Sequence, residues 1–161
     1  MRIPRVELVV DPATLAKSSR GAITGAVWLR DGDPDTQADF PEVGWSDSVV
    51  AVLAGWLPEL QRLARTIPAT DASADCRFID GPYLMTVRVE RPGMWRLHCV
   101  EQRTHGTPGD GPEWRTDSGV FLASVTRAAT TVLGVCDARG WWSTDTESLR
   151  RTIEQIRESA S

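Results

Sequence analysis

The chain of 161 residues has little of what reactive chemistry needs: two histidines, three cysteines and one tyrosine. His98 and His105 are the only side chains that ordinarily titrate near neutrality. His98 falls on the polar side of an alternating stretch, across from Arg88 in the hairpin reading, whereas Cys99 points to the opposite side. The two cannot work as base and nucleophile. His105 sits in a loop of glycine and proline and reads as a surface residue. Cys76, Cys99 and Cys136 are widely spaced, odd in number and include no CxxC pair. They read as small buried hydrophobes in a reducing compartment, with neither disulfides nor a zinc site. GxSxG, HExxH, Walker and GxGxxG patterns are missing. Gly106, Gly109 and Gly111 lack the strand–loop–helix setting of a phosphate site. No catalytic residue, cofactor or metal is therefore expected.

Long apolar runs are also missing. None approaches the roughly 20 residues that span a bilayer, and the opening Met1 to Val6 has no signal-peptide core. A cytoplasmic chain without a membrane partner is expected. Lysine is nearly absent, with Lys17 set against seventeen arginines. That bias reads as codon usage in a GC-rich bacterial genome.

What the chain does have is ordinary globular composition: 41% hydrophobic and 25% charged residues. Its length suits one domain over 1–161. Its charge is unevenly placed. Residues 31–61 carry seven acids and neither lysine nor arginine, which accounts for the whole acidic excess of the −4 chain. Nucleic-acid binding needs a basic face and is disfavoured. A basic protein partner is compatible. Asp31, Asp33 and Asp35 alternate like calcium ligands, but Thr36 stands where that loop type needs glycine. They read as a solvated acidic loop.

The patterning alternates strands and helices. Val6 to Val10 reads as a strand broken by Asp11-Pro12, and Ile23 to Arg30 as a second. Val49, Leu53, Trp56, Leu60 and Leu63 form a helical stripe. Ser46 is its expected N-cap, Asp47 favours its positive end, Pro58 is expected to kink or break it, and Ile67-Pro68 to end it. Cys76 to Ile79 reads as a strand after a polar linker, and Asp80-Gly81-Pro82 as a turn or bulge. Tyr83 to Val89 and Trp95 to Cys99 read as a hairpin. Face matching favours a three-residue loop, with Val89 opposite Leu97, Val87 opposite Cys99 and Glu90 beside Arg96. Residues 104–113 read as a loop and Trp114 as part of a short extra strand. Asp117 or Ser118 caps a long helix that ends at Gly140. Thr144 and Glu147 form a capping box for a last helix buried through Leu149, Ile153 and Ile156. The expected fold is α+β: an antiparallel sheet of four to five strands with about three helices packed mainly on one face. Trp28, Trp56 and Trp95 fit buried positions. Trp45, Trp114, Trp141 and Trp142 lie at element ends, where tryptophan packs under loops or anchors a partner.

Phe40-Pro41, Trp45 ahead of a helix of Val, Leu and Trp, the run CRFIDGPY at 76–83, the hairpin, the helix ending VCDARGW at 135–141 and a short capped helix together form a pattern. Over residues 40–158 it resembles small bacterial immunity proteins of polymorphic-toxin (contact-dependent or type VI secretion) systems. The resemblance implies a protein without catalytic residues that neutralises a cognate toxin by stoichiometric binding. A basic toxin would suit an acidic contact surface at Asp31, Asp33, Asp35, Asp39 and Glu42, with Trp45 as an anchor. Two alternatives stay open: an adaptor or chaperone, and a small-molecule binder whose pocket is lined by Trp56, Tyr83 and Trp95 with Asp80 at its mouth.

Overall fold

The computed structural model describes residues 5–33, 35, 38–65, 72–103, 105–107 and 109–160. The positions read as a helix stop (Ile67-Pro68) and as the departure from the calcium pattern (Thr36) lie outside them. Among the described residues the fold is α+β, built from two antiparallel four-stranded sheets and three helices.

Strand β1 (Val6–Lys17) pairs antiparallel with β2 (Ile23–Asp31). Val6 and Leu8 are buried beside Val27 and Leu29, as period-two alternation predicts. Asp11-Pro12 does not end β1. The register shifts between Asp11 and Ala16, so an irregularity absorbs the proline while the strand continues. Two two-residue strands, β3 (Asp39–Phe40) and β4 (Ser46–Asp47), share the other edge of β2. Ser46 and Asp47 therefore belong to a strand and not to the helix start, and strands this short leave no alternation to read.

The second sheet is a meander of β5 (Ser73–Arg77), β6 (Tyr83–Arg91), β7 (Met94–Glu101) and β8 (Gly109–Asp117). Part of the linker is thus strand: Ala74 and Cys76 are buried while Ser73, Asp75 and Arg77 are exposed. Residues 109–113 pair with β7 despite their glycines and Pro112, and Trp114 is buried opposite Leu97. In the central hairpin, Val89 faces Trp95, Val87 faces Leu97 and Met85 faces Cys99. The expected three-residue loop is replaced by a Pro92-Gly93 turn closed by Arg91 and Met94, with Gly93 at φ 80. A bulge at Glu90 then shifts the register and restores the apolar match. The bulge also aims Glu90 at Arg96 (3.1 Å) and Arg115 (2.9 Å), while Glu113 reaches Arg96 (3.1 Å). Like charges directly opposite each other repel; Arg88, Arg96 and Arg115 form one cross-strand row, and these carboxylates offset it. His98 stands between Thr86 and Glu113, not across from Arg88.

Helix α1 (Val49–Arg65) buries all five residues of its stripe. It runs through Pro58 without a break. Pro58 is exposed, so the carbonyl it leaves unpaired lies on the outward side of the helix. Helix α2 (Ser118–Arg139) starts at Asp117, whose carboxylate accepts from Val120 N, and ends at Gly140 in the left-handed conformation. It is long and apolar enough by composition to cross a bilayer. Its buried residues, Phe121, Val125, Ala129 and Val132 among them, belong to the protein core. Helix α3 (Thr144–Ala160) is capped one residue earlier than expected. Ser143 and Thr146 exchange backbone-to-hydroxyl bonds of 2.8 and 3.1 Å, in place of Thr144 and Glu147.

Helix α1 packs on β2 and β5, α2 on β1 and β8, and α3 on both other helices. Edge-to-face rings lock these layers: Trp56 on Phe78 (5.1 Å) and Trp95 on Phe121 (6.4 Å). One cluster of buried side chains runs from β1 to α3.

All three cysteines are buried and free. Burial pushes their thiols above the ordinary value of 9.0. A proton held more tightly when folded stabilises the fold below that value, and the contribution is lost as pH rises above it, because only the unfolded chain then ionises. Labelling with a thiol reagent at pH 8 is expected to be at least ~100-fold slower for the folded than for the urea-unfolded chain. Urea stability should fall above pH 9.0, and less steeply in a Cys76→Ala/Cys99→Ala variant. Equal labelling rates in the two states would contradict the burial.

Candidate protein-docking surface

The sheets meet at a corner built by the Phe40–Tyr83 segments. The Phe40–Pro41 peptide is cis. Phe40 packs edge-on to both Phe78 (6.0 Å) and Tyr83 (5.5 Å). The chain then turns, with Trp45 N–H donating to Glu42 C=O (3.1 Å). Trp45 C=O accepts from Val27 N (2.7 Å), which fastens the turn to β2.

Asp47 is the hub. Its side chain is fully buried, and a buried carboxylate must be fully hydrogen-bonded to be tolerated. Its oxygens accept from Trp45 Nε1 (3.0 Å), Ser48 N (2.7 Å), Ile79 N (3.1 and 3.2 Å) and Asp80 N (3.1 Å). One side chain therefore binds the 42–48 segment to the 78–80 turn. Gly81 completes the join. It adopts φ 138, and a Cβ there would lie 2.9 Å from Trp45 Cζ2. Only glycine lets the indole ring close onto that turn. Trp45 also meets Tyr83 edge-on at 5.0 Å.

This buried scaffold holds two apolar side chains outward. Val43 is 62% exposed at the turn and Ile79 is 53% exposed on the facing segment. Glu42 and Asp80 beside them are exposed, and Asp80 accepts from Ser48 Oγ at 3.4 Å. Two exposed apolar side chains, each next in sequence to an exposed acid, therefore stand on the two segments that Asp47 joins.

The residues expected from sequence fall out unevenly. Asp31 is only 6% exposed and ends β2, where its carboxylate accepts from Asp33 N (2.9 Å). It organises the loop and offers little surface. Asp33 is half-buried and accepts from Asp35 N (2.9 Å), while Asp35 is exposed. Asp39 lies in β3 and pairs with Arg30 across the strands (3.4 Å). Glu42 is exposed. Trp45 is half-buried and committed to Asp47 and Tyr83, so it supports the surface and does not project from it. Sequence reasoning missed Asp47, Val43 and Ile79. A valine inside the polar turn Pro41-Glu42-Val43-Gly44 was a readable signal for Val43.

Trp56 and Trp95 are only 2% exposed and packed against other rings, and Trp56 Nε1 donates to Arg77 C=O (2.7 Å). Among the described residues no three His, Cys, Asp or Glu side chains gather into a metal-sized cluster. Comparison with known proteins finds no matching family model, curated protein or solved structure.

Proposed function

We propose that this chain is an immunity protein: it binds a cognate bacterial toxin domain and neutralises it through a stoichiometric protein–protein complex. The observation that carries the binding role is the exposed Val43–Ile79 pair on a scaffold pinned by Asp47. Binding energy concentrates in apolar anchors whose supports are already ordered, because little entropy is lost on docking. The resemblance of residues 40–158 to immunity proteins supplies the partner class. The acids Asp33, Asp35, Glu42 and Asp80 suit a basic toxin, which their field would steer into contact.

The test is co-purification with the product of the neighbouring gene, followed by a growth-rescue assay. A one-to-one complex that restores growth is the expected result, and a neighbour that is neither toxic nor bound would overturn the reading. Within such a complex, Asp33→Lys/Asp35→Lys/Glu42→Lys is expected to slow association about 10-fold or more at low salt. An unchanged on-rate would remove the acidic surface from the interface.

A further inference from the structure

The two tryptophans at the α2–α3 corner have separate fates. Trp141 packs against the core, with the Arg139 guanidinium over its ring at 4.9 Å. Trp142 projects: at 68% it is the most exposed large apolar side chain among the described residues. Its backbone is fixed on both sides. Gly140 closes α2 at φ 66, and Trp141 N–H donates to Cys136 C=O (2.8 Å). Ser143 N–H donates to Thr146 Oγ1 (2.8 Å) and Thr146 N–H to Ser143 Oγ (3.1 Å), which starts α3 directly after the indole. A capped corner therefore holds Trp142 in water, where the fold gains nothing from it.

A basic hairpin tip stands at the same end. Helix α2 runs alongside β1 in the same direction, from Leu8 N–H on Ser124 Oγ (2.7 Å) to Arg139 Nη1 on Leu15 C=O (3.1 Å). Lys17 lies two residues beyond Leu15 and opposite Ile23, a core residue, so it leaves β1 on the core side of the sheet. The turn that follows carries Arg20 and is tight, with Ser18 N–H donating to Ala22 C=O (2.8 Å). Lys17, Arg20 and Arg139 are exposed, and among the described residues none has an ion-pair partner. Residues 12–22 and 138–144 contain no acid. Of the acids that follow or precede them, Asp137 is bound by Arg150 (2.6 Å) and Glu147 lies one helical turn from Arg151. Asp145 alone is left to oppose three cations.

We infer that this end of the molecule docks on an anionic phospholipid surface, with Trp142 entering the headgroup layer. Size and charge choose the occupant. A stable protein contact needs roughly 800 Å² per partner, whereas one indole offers at most about 250 Å². A tryptophan at the boundary of water and lipid needs no matching pocket, since its ring sits at headgroup depth while its N–H stays wet. The three exposed cations beside it favour anionic over zwitterionic headgroups. The contact spans nothing: α2 stays in the core, and docking on a surface requires no apolar spanning run. It shares no residue with the Val43–Ile79 surface and stands whether or not that surface binds a toxin.

The test is co-sedimentation of the full chain with vesicles of phosphatidylglycerol and phosphatidylcholine in equal parts, against vesicles of phosphatidylcholine alone. Binding to the anionic vesicles is expected at about 1 mM lipid, at least ten-fold above the neutral ones, and should fall five-fold or more between about 0.05 and 0.5 M salt. Lys17→Glu/Arg20→Glu should weaken it ten-fold or more, and Trp142→Ala at least three-fold. All three positions are exposed, so the urea midpoints of both variants should match the parent. Brominated acyl chains should quench part of the tryptophan emission of the bound protein, and that part should be missing from bound Trp142→Ala. No binding at millimolar lipid, equal binding to the two vesicles, undiminished binding by either variant, or quenching that survives in Trp142→Ala would each overturn the assignment. So would a concentration-dependent dimer that Trp142→Ala abolishes, which would give the corner to a second copy of the chain.

Discussion

Replacing Asp47 by alanine is expected to lower the free energy of unfolding by about 3–5 kcal/mol, one of the largest effects of any single change outside the apolar core. The carboxylate is fully buried and accepts from four different donors, three of them backbone N–H groups. Alanine leaves those donors facing each other without an acceptor, and each unsatisfied group costs about 1–3 kcal/mol less whatever water can recover. Asparagine restores one oxygen but points an NH2 group at the same N–H donors, so Asp47→Asn should recover little. The measurement is urea unfolding followed by tryptophan fluorescence. Trp45 loses the acceptor of its indole N–H and packs against Tyr83 beside that turn, so the native emission should shift as well. A midpoint unchanged in Asp47→Ala would mean that the 78–80 turn holds its place without the carboxylate.

Val43→Asp with Ile79→Asp is expected to weaken the proposed toxin complex at least ~30-fold, about 2 kcal/mol, while changing fold stability by roughly 0.5 kcal/mol or less. Both side chains are more than half exposed, so neither contributes much to the core. Each aspartate would bring an unpaired charge into a desolvated contact, which costs more than the lost apolar area alone. The measurement pairs the dissociation constant with the urea midpoint of the free variant. Full-strength binding by a stably folded double variant would place the interface elsewhere. A loss of binding accompanied by unfolding would instead mean that the two side chains hold the corner together. Gly81→Ala offers an internal comparison: it should disturb Trp45 and the platform while keeping both apolar side chains.

How much of this was legible depended on how local the determining contacts were. The α1 stripe of Val49, Leu53, Trp56, Leu60 and Leu63 is buried as read, since a 3.6-residue period is written within seventeen consecutive residues. Alternation in Tyr83–Val89 and Trp95–Cys99 likewise identified the hairpin and its inner face. The hairpin register was less legible. Two devices satisfy the same face matching, a longer loop or a bulge, and the choice fell to the bulge that also places Glu90 between two arginines. The sequence points to one sheet and not two because β3 and β4 are two residues long and β8 contains Gly109, Gly111 and Pro112. Such strands exist only because a neighbour supplies their hydrogen-bond partners.

The candidate surface divides in the same way. The acidic character of residues 31–61 is a property of composition and needed no fold. Which of those acids face outward did need one. Asp31 and Asp47 carry the same side chain as Asp35, yet the first ends a buried strand and the second caps backbone from a segment thirty-two residues away. The sequence by itself determined the α+β class, the helix stripes and the inner strand faces, because each rests on periodicity along the chain. Only the tertiary structure decided which carboxylates are structural, that Val43 and Ile79 stand out beside a pinned corner, and that α2 covers the edge of β1, because each depends on which distant backbone donors and surfaces are brought together.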